Sequence, residues 1–238
     1  MDACYDALAE TGLPPRPVIP SVPEPISAPE LFAEAFKASN GIVLGESHKQ
    51  MASFKVLFDN VETLKNQGVK KVYFEALIDT PDGLIDDGIG YLGDGRTLRT
   101  DPTFKELCEK LEANGIEVMP IDHIYLTRHK GDLHKAPTTT GERSQRRLKE
   151  FNYYASETIQ ATSGTEKWVA LVGCSHMNTS ENVPGLAELT GSIGIGVFNN
   201  KNVTGQIGTR VIGRPQDPTQ PVGWGRGIPG DLQIYVEP

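Results

Sequence analysis

The sequence has few cysteines, no long apolar run and no excess of basic charge, and each shortage excludes a class of protein. Only Cys4, Cys108 and Cys174 are present. They are odd in number, far apart and show no CxxC spacing, which speaks against a disulfide framework or a thiolate zinc site and fits a reducing compartment. No apolar stretch approaches the roughly 20 residues that a membrane-spanning helix needs. The formal net charge is −8, and the pI is near 5.2. An acidic surface disfavours nucleic acid as the main partner, since phosphate binding needs clustered Lys and Arg. One basic cluster, Arg143, Arg146, Arg147 and Lys149, lies in a helical pattern and reads as a solvated helix face. No P-loop and no GxGxxG follows the first strand. Gly191-Ser-Ile-Gly-Ile-Gly comes late, after no strand and before no helix, and Gly223-Trp-Gly-Arg-Gly reads as a turn. The GxSxG elbow of serine hydrolases is also missing.

What is present is a chain of 238 residues, 38% hydrophobic and 23% charged, with 25 Gly and 17 Pro. That length suits one core with decorated loops, and the Gly and Pro content suggests many turns. The opening stretch is rich in Pro, Ala, Ser and Glu and lacks the basic and apolar regions of a secretory signal peptide. Residues 1–27 therefore read as a flexible leader, or as a coil packed along the surface of a single domain spanning 28–238.

Within 28–238, apolar runs and helical patterns alternate. A helix is expected from Ala28 to Ser39, opened by Pro29 and Glu30. Ile42-Val-Leu44 is a continuous apolar run, the signature of a strand buried on both faces, and Glu46-Ser47-His48 follows at once. A single helix is expected from Met51 to Gln67, ended by Gly68. The second strand, Lys71 to Glu75, again ends in an acid. A loop rich in Gly and Asp runs from Thr80 to Thr100. A helix over 102–114 leads to a third strand, Ile116 to Ile121, ending in Asp122-His123. A loop carrying His129 and His134 precedes a helix over 142–161. The fourth strand, Trp168 to Val172, ends in Gly173-Cys-Ser-His176. A short helix over 184–189 and strands at 192–198, 209–212 and 232–236 complete the chain, the last of these expected to pair antiparallel at an edge. Alternation at this spacing predicts an α/β fold with a mostly parallel central sheet flanked by helices.

Open parallel sheets bind ligands outside the carboxyl ends of their strands. Here four successive strands end in groups able to move protons or hold ligands. Singly, each reads as a cap or a salt-bridge partner; together they suggest one shared rim. The principal residues are Glu46, His48, Glu75 and His176, with Asp122, His123, Ser47 and Ser175 in support. Two carboxylates held close push one pKa upward, and a neighbouring histidine can shuttle a proton. Two His and two Glu could also bind a divalent metal, through His48, Glu75 and His176. Ser47, Ser175 or Cys174 as a nucleophile is the weaker reading, because sequence neighbours in a turn seldom face each other.

Three of these motifs, Gly41-Ile-Val-Leu-Gly-Glu-Ser-His48, Phe74-Glu75 and Gly173-Cys-Ser-His176, resemble the signatures of the erythromycin esterase, ChaN and TIKI superfamily, which includes a domain of the Pasteurella dermonecrotic-type toxin. The whole chain also resembles the HopBA family of type III effectors from plant-pathogenic pseudomonads. The resemblance implies a bacterial protein secreted by a type III system into a plant cell, acting on a host protein or small-molecule substrate and provoking responses such as cell death. It implies that His48 is a base or metal ligand, with Glu46, Glu75 and His176 as the other motif residues. Esterase relatives use activated water without a metal, TIKI relatives resemble metal-dependent proteases, and ChaN relatives are linked to haem. No residue was matched to the basic group that assists some esterase relatives. The leading expectation is a hydrolase-like enzyme, esterase- or protease-like, requiring no cofactor. The alternatives are a non-catalytic module using the same rim to bind a host protein or small ligand, and carriage of haem or a divalent metal. Substrate, host target and oligomeric state are not legible.

Overall fold

The computed structural model describes residues 12–23, 26–46, 52–79, 81, 85–86, 102–126, 140–199, 210–211 and 230–236. Helix α1 (Ala28–Ala38) starts where the sequence says it must. The Ser27 hydroxyl accepts the Glu30 N–H at 3.4 Å, and the Ser27 N–H donates to the Glu30 carboxylate at 3.0 Å, a reciprocal cap. Leu31, Phe32, Ala35 and Phe36 form its buried face. Strand β1 (Gly41–Glu46) is buried along its whole length. The single helix expected next is two, α2 (Ala52–Asp59) and α3 (Val61–Asn66). The break falls at Asn60, whose side-chain amide donates back to the Val56 carbonyl at 2.7 Å; Asn competes with the helical backbone in this way. Gly68, at φ +85°, ends α3 in the left-handed region.

The remaining elements are β2 (Val69–Asp79), β3 (Ile85–Asp86), α4 (Phe104–Ala113), β4 (Glu117–His123), α5 (Thr140–Ser163), β5 (Lys167–Gly173), α6 (Cys174–Met177), α7 (Leu186–Leu189), β6 (Ile193–Asn199), β7 (Arg210–Val211) and β8 (Leu232–Val236). Six strands run parallel in the spatial order β4-β2-β5-β1-β6-β8. This is the expected α/β fold. The antiparallel edge is smaller than expected: β6 and β8 are parallel members of the sheet, and only the two-residue β7 runs against β8. β3 pairs antiparallel with the end of β2.

Alternation along the strands builds two cores. Ile42, Leu44, Val72, Phe74, Val169 and Leu171 pack with α1 to α4 on one face. Val43, Tyr73, Ala170 and Val172 pack with Phe151, Ala155 and Ile159 of α5 and with Leu186 of α7 on the other. From β1 the chain steps through β2 to β4 on one side, then returns to insert β5 between β2 and β1. Right-handed crossovers put the helices of the outward steps on one face and those of the return on the other.

Residues 12–23 precede α1 in the described part of the chain. Residues 12–23 run as irregular chain against the domain, and Arg16 pairs with Glu188 at 3.0 Å and with Asp231. The first 11 residues lie outside the described ones.

Candidate functional site

The carboxyl halves of β4, β2, β5 and β1 are adjacent, and they carry Asp122, Glu75, Gly173 and Glu46 in that order. β2 leads on to α4, which packs on one face of the sheet, and β5 to α6, whose Met177 packs on the other; ligands of doubly wound sheets bind outside strand ends where such connections diverge.

Glu75 is not the end of its strand, as the sequence suggested, but an interior residue of β2. The pairing of β2 with β5 stops at Phe74, and its register with β4 shifts between Phe74 and Ile78. Such irregularities re-aim side chains and are common beside active sites. Glu75 emerges where the ladder breaks. One carboxylate oxygen, Oε2, accepts the Gly173 N–H at 2.7 Å. The other, Oε1, accepts from Arg147 Nη2 at 3.2 Å and lies 3.5 Å from His176 Nε2.

Arg147 overturns the solvated-face reading of the basic cluster. It is 7% exposed. Its guanidinium grips Asp122 with two bonds, Nη1 to Oδ1 at 3.0 Å and Nη2 to Oδ2 at 2.9 Å, while also reaching Glu75. Burial works against its charge, but Asp122 and Glu75 outweigh burial and hold Arg147 above its ordinary pKa. Arg146, by contrast, is a half-buried partner of Glu150 at 2.7 Å, Lys149 is half-buried, and the side chain of Arg143 lies outside the described residues. The signal for Arg147 was available in spacing. Arg147, Phe151, Ala155 and Ile159 recur every four residues, so the arginine lies on the apolar stripe of α5.

His176 sits in α6, the single turn that follows β5 without a linker. It is 4% exposed. Its Nδ1 lies 2.7 Å from Asn152 Oδ1, and the Asn152 Nδ2 donates to the Pro184 carbonyl at 2.8 Å. The Phe151 ring packs at 4.3 Å against the imidazole, and the Arg147 guanidinium lies 4.5 Å over that same ring. Met177 fixes the turn from below: a Cβ on Gly45 would lie 2.6 Å from its sulfur, so only glycine lets α6 settle this close to β1.

Glu46 ends β1 buried, accepting from Ser53 Oγ at 3.1 Å, and it pairs in register with Gly173. Asp122 accepts its neighbour His123's N–H at 2.8 Å as well as the arginine. The His123 Nδ1 accepts from the Tyr125 N–H at 3.2 Å, and its ring lies against Tyr125 and Tyr154. Ser175 shares the α6 turn and is half-buried. Ser47, His48, His129 and His134 lie outside the described residues. The structure thus joins Glu75, His176, Asp122 and Arg147 in one network, with Glu46 two strands from Glu75. Arg147 and Asn152 are the members that sequence reasoning missed.

Cys174 is no ready nucleophile. Burial first, then the charges of Glu46 and Glu75, push its thiol up to about 12, whereas reactive cysteines are depressed toward neutrality. Among the described residues no group of three or more His, Cys, Asp or Glu is arranged to hold a metal. The donors near Glu75 fit a cation poorly, because Oε2 is committed to the Gly173 N–H and the Arg147 guanidinium lies against Oε1.

No protein-family model and no curated protein matches the sequence. Solved structures do match in fold. The type III effector HopBA1 superposes with a TM-score of 0.55 at 16% identity, over 92% of this chain and 97% of that one. RRSP, a MARTX toxin effector domain from Vibrio vulnificus CMCP6, gives 0.51 at 20% identity over 72% of this chain. The C-terminal region of Pasteurella multocida toxin, described as carrying a thiol-protease-like catalytic triad, gives 0.50 at 16% identity, also over 72%. The chain spans 36% of the RRSP chain and 25% of the Pasteurella chain. At these identities the likeness is one of fold.

Proposed function

We propose that this chain is a bacterial effector, delivered by type III secretion into plant cells, whose rim hydrolyses an ester or amide of a host protein or small molecule. The observation that carries the chemistry is the pair Glu75 Oε1 and His176 Nε2, 3.5 Å apart at the rim, with Glu75 Oε2 tied to the Gly173 N–H and His176 Nδ1 to Asn152. The spacing is long for a direct hydrogen bond and leaves room for a water held against both. As that water attacks a carbonyl carbon, its proton passes to the Glu75–His176 pair. The same proton then goes to the leaving oxygen or nitrogen as its bond to carbon breaks. In this reading Glu46, which ends β1, and the Ser47 and His48 that follow it in sequence are assigned to the same reaction. No cofactor takes part. The full-length fold likeness to HopBA1 supports the effector setting. Among the described residues no helix is long and apolar enough to cross a membrane.

The test is expression of the wild type, Glu75→Gln and His176→Ala in leaf tissue, scored for cell death, with circular dichroism of the purified proteins. Both variants should fold and lose the response. Glu75→Gln keeps the shape and removes the charge, so a folded Gln variant with a full response would replace the enzyme with a binding module at the same rim. A silent wild type would remove the effector setting.

A further inference from the structure

We propose that Asn152 is the positioning residue of this rim: it fixes His176 as the tautomer protonated on Nδ1 and leaves Nε2 as the nitrogen facing Glu75. The significance of this role rests on the hydrolase reading above; the tautomer itself rests on geometry.

The Asn152 amide has one orientation consistent with its surroundings. It is fully buried, and one end lies 2.8 Å from the carbonyl of Pro184. A carbonyl only accepts, so that end of the amide is the NH2. The end facing His176 is then the oxygen, which also only accepts. The His176 Nδ1, 2.7 Å away, must therefore supply the hydrogen. A neutral imidazole carries one ring proton, and here Asn152 claims it. Phe151, adjacent in sequence to Asn152, packs on the ring at 4.3 Å and opposes a ring flip that would exchange the two nitrogens.

With the proton held on Nδ1, the neutral Nε2 offers only a lone pair. It faces Glu75 Oε1, which also only accepts, across 3.5 Å. Two acceptors at that distance do not hydrogen-bond each other. Without Asn152 the ring is free to move its proton to Nε2 and donate directly to Glu75, which would spend both groups on each other. Asn152 thereby keeps the Nε2 lone pair turned toward Glu75. Among the described residues, the charged or titratable groups of this rim include Arg147 of α5, Asp122 of β4, Glu46 of β1 and Cys174 of the His176 turn.

The experiment uses the whole chain labelled with 15N-histidine, the His176 resonances being identified by their loss in His176→Gln. With the ring neutral, the wild type should show a protonated Nδ1 and an unprotonated Nε2. Asn152→Leu should reverse that assignment and lose the leaf response. Asn152→Asp, which still offers an acceptor, should keep the Nδ1 proton and recover part of the response. A wild type protonated on Nε2, an Asn152→Leu variant still protonated on Nδ1, or an Asn152→Asp variant protonated on Nε2 would each overturn the assignment. Should Asn152→Leu fail to fold, the wild type and the Asp variant decide alone. Full activity of His176→Ala would remove the hydrolase reading and not the tautomer. Full activity of Asn152→Leu with a reversed tautomer would remove the positioning role and leave Glu75 and His176 in place.

Discussion

Arg147→Met is the sharpest perturbation of the site, because the two views of Arg147 differ several-fold in what they predict. On a solvated helix face the change alters stability by no more than about 0.5 kcal/mol. In the structure the guanidinium is buried and shared by two carboxylates, Asp122 at 2.9 and 3.0 Å and Glu75 at 3.2 Å. Methionine approximates the aliphatic stem over Phe151 but removes the charge. Asp122, 1% exposed, would keep the His123 N–H and lose its cation. Removing one partner of a buried ion pair costs about 3–5 kcal/mol. For a chain of this size each kcal/mol lowers Tm by about 2–4 °C, so the variant should melt roughly 6–20 °C below the wild type. Urea unfolding followed by circular dichroism gives the free energy. A double-mutant cycle with Asp122→Asn isolates the pair, and the double variant should recover much of the loss, because the buried charge that needed compensation is gone. A loss below about 1 kcal/mol for Arg147→Met, with no coupling to Asp122→Asn, would refute the reasoning.

Two further outcomes follow from the same geometry. The Cys174 thiol is raised from 9.0 to about 12 in the folded chain, so between those values the unfolded chain has lost a proton that the folded one keeps. This contribution is intact below about pH 9 and lost as pH rises toward 12; urea titrations across that range should show a flatter alkaline limb in Cys174→Ala, and an unchanged limb would contradict the burial of the thiol. Gly45→Ala places a Cβ 2.6 Å from the Met177 sulfur, which should cost about 1–3 kcal/mol as the flexible thioether moves. Gly45→Val should cost more and silence the leaf response by lifting α6 and His176; a fully active, wild-type-stable Val variant would mean that α6 does not rest on β1.

Short apolar runs made β1 and β5 legible, since nothing but a doubly buried strand explains Ile42-Val-Leu44 and Trp168-Val-Ala-Leu-Val172 followed at once by polar groups. The same rule misplaced Glu75. Its acid follows an apolar run, but β2 continues to Asp79, and what singles out Glu75 is where β5 stops pairing, a fact about a neighbour nearly a hundred residues further along the chain. Arg147 escaped for a related reason. Charge in a helical pattern reads as solvent-facing until its partners are known, and Asp122 and Glu75 lie 25 and 72 residues away. Asn152 carried no motif at all. The direction of β8 was likewise unreadable, since a five-residue apolar strand looks the same in either sense.

Both residues missed from sequence come from α5, and this explains how the rim is held. Arg147 takes Glu75 from one side while pinned by Asp122 of the edge strand β4. Asn152, five residues on, takes His176 from the other side while pinned by the Pro184 carbonyl. Phe151 lies between them, touching both the guanidinium and the imidazole. Both side chains flanking the 3.5 Å gap between Glu75 and His176 are thus held in part from one stretch of α5. Loss of Arg147 or Asn152 releases one contact of one member of the pair and leaves the other member's in place. The rim should tolerate changes in the outer face of α5 far better than changes at these two positions.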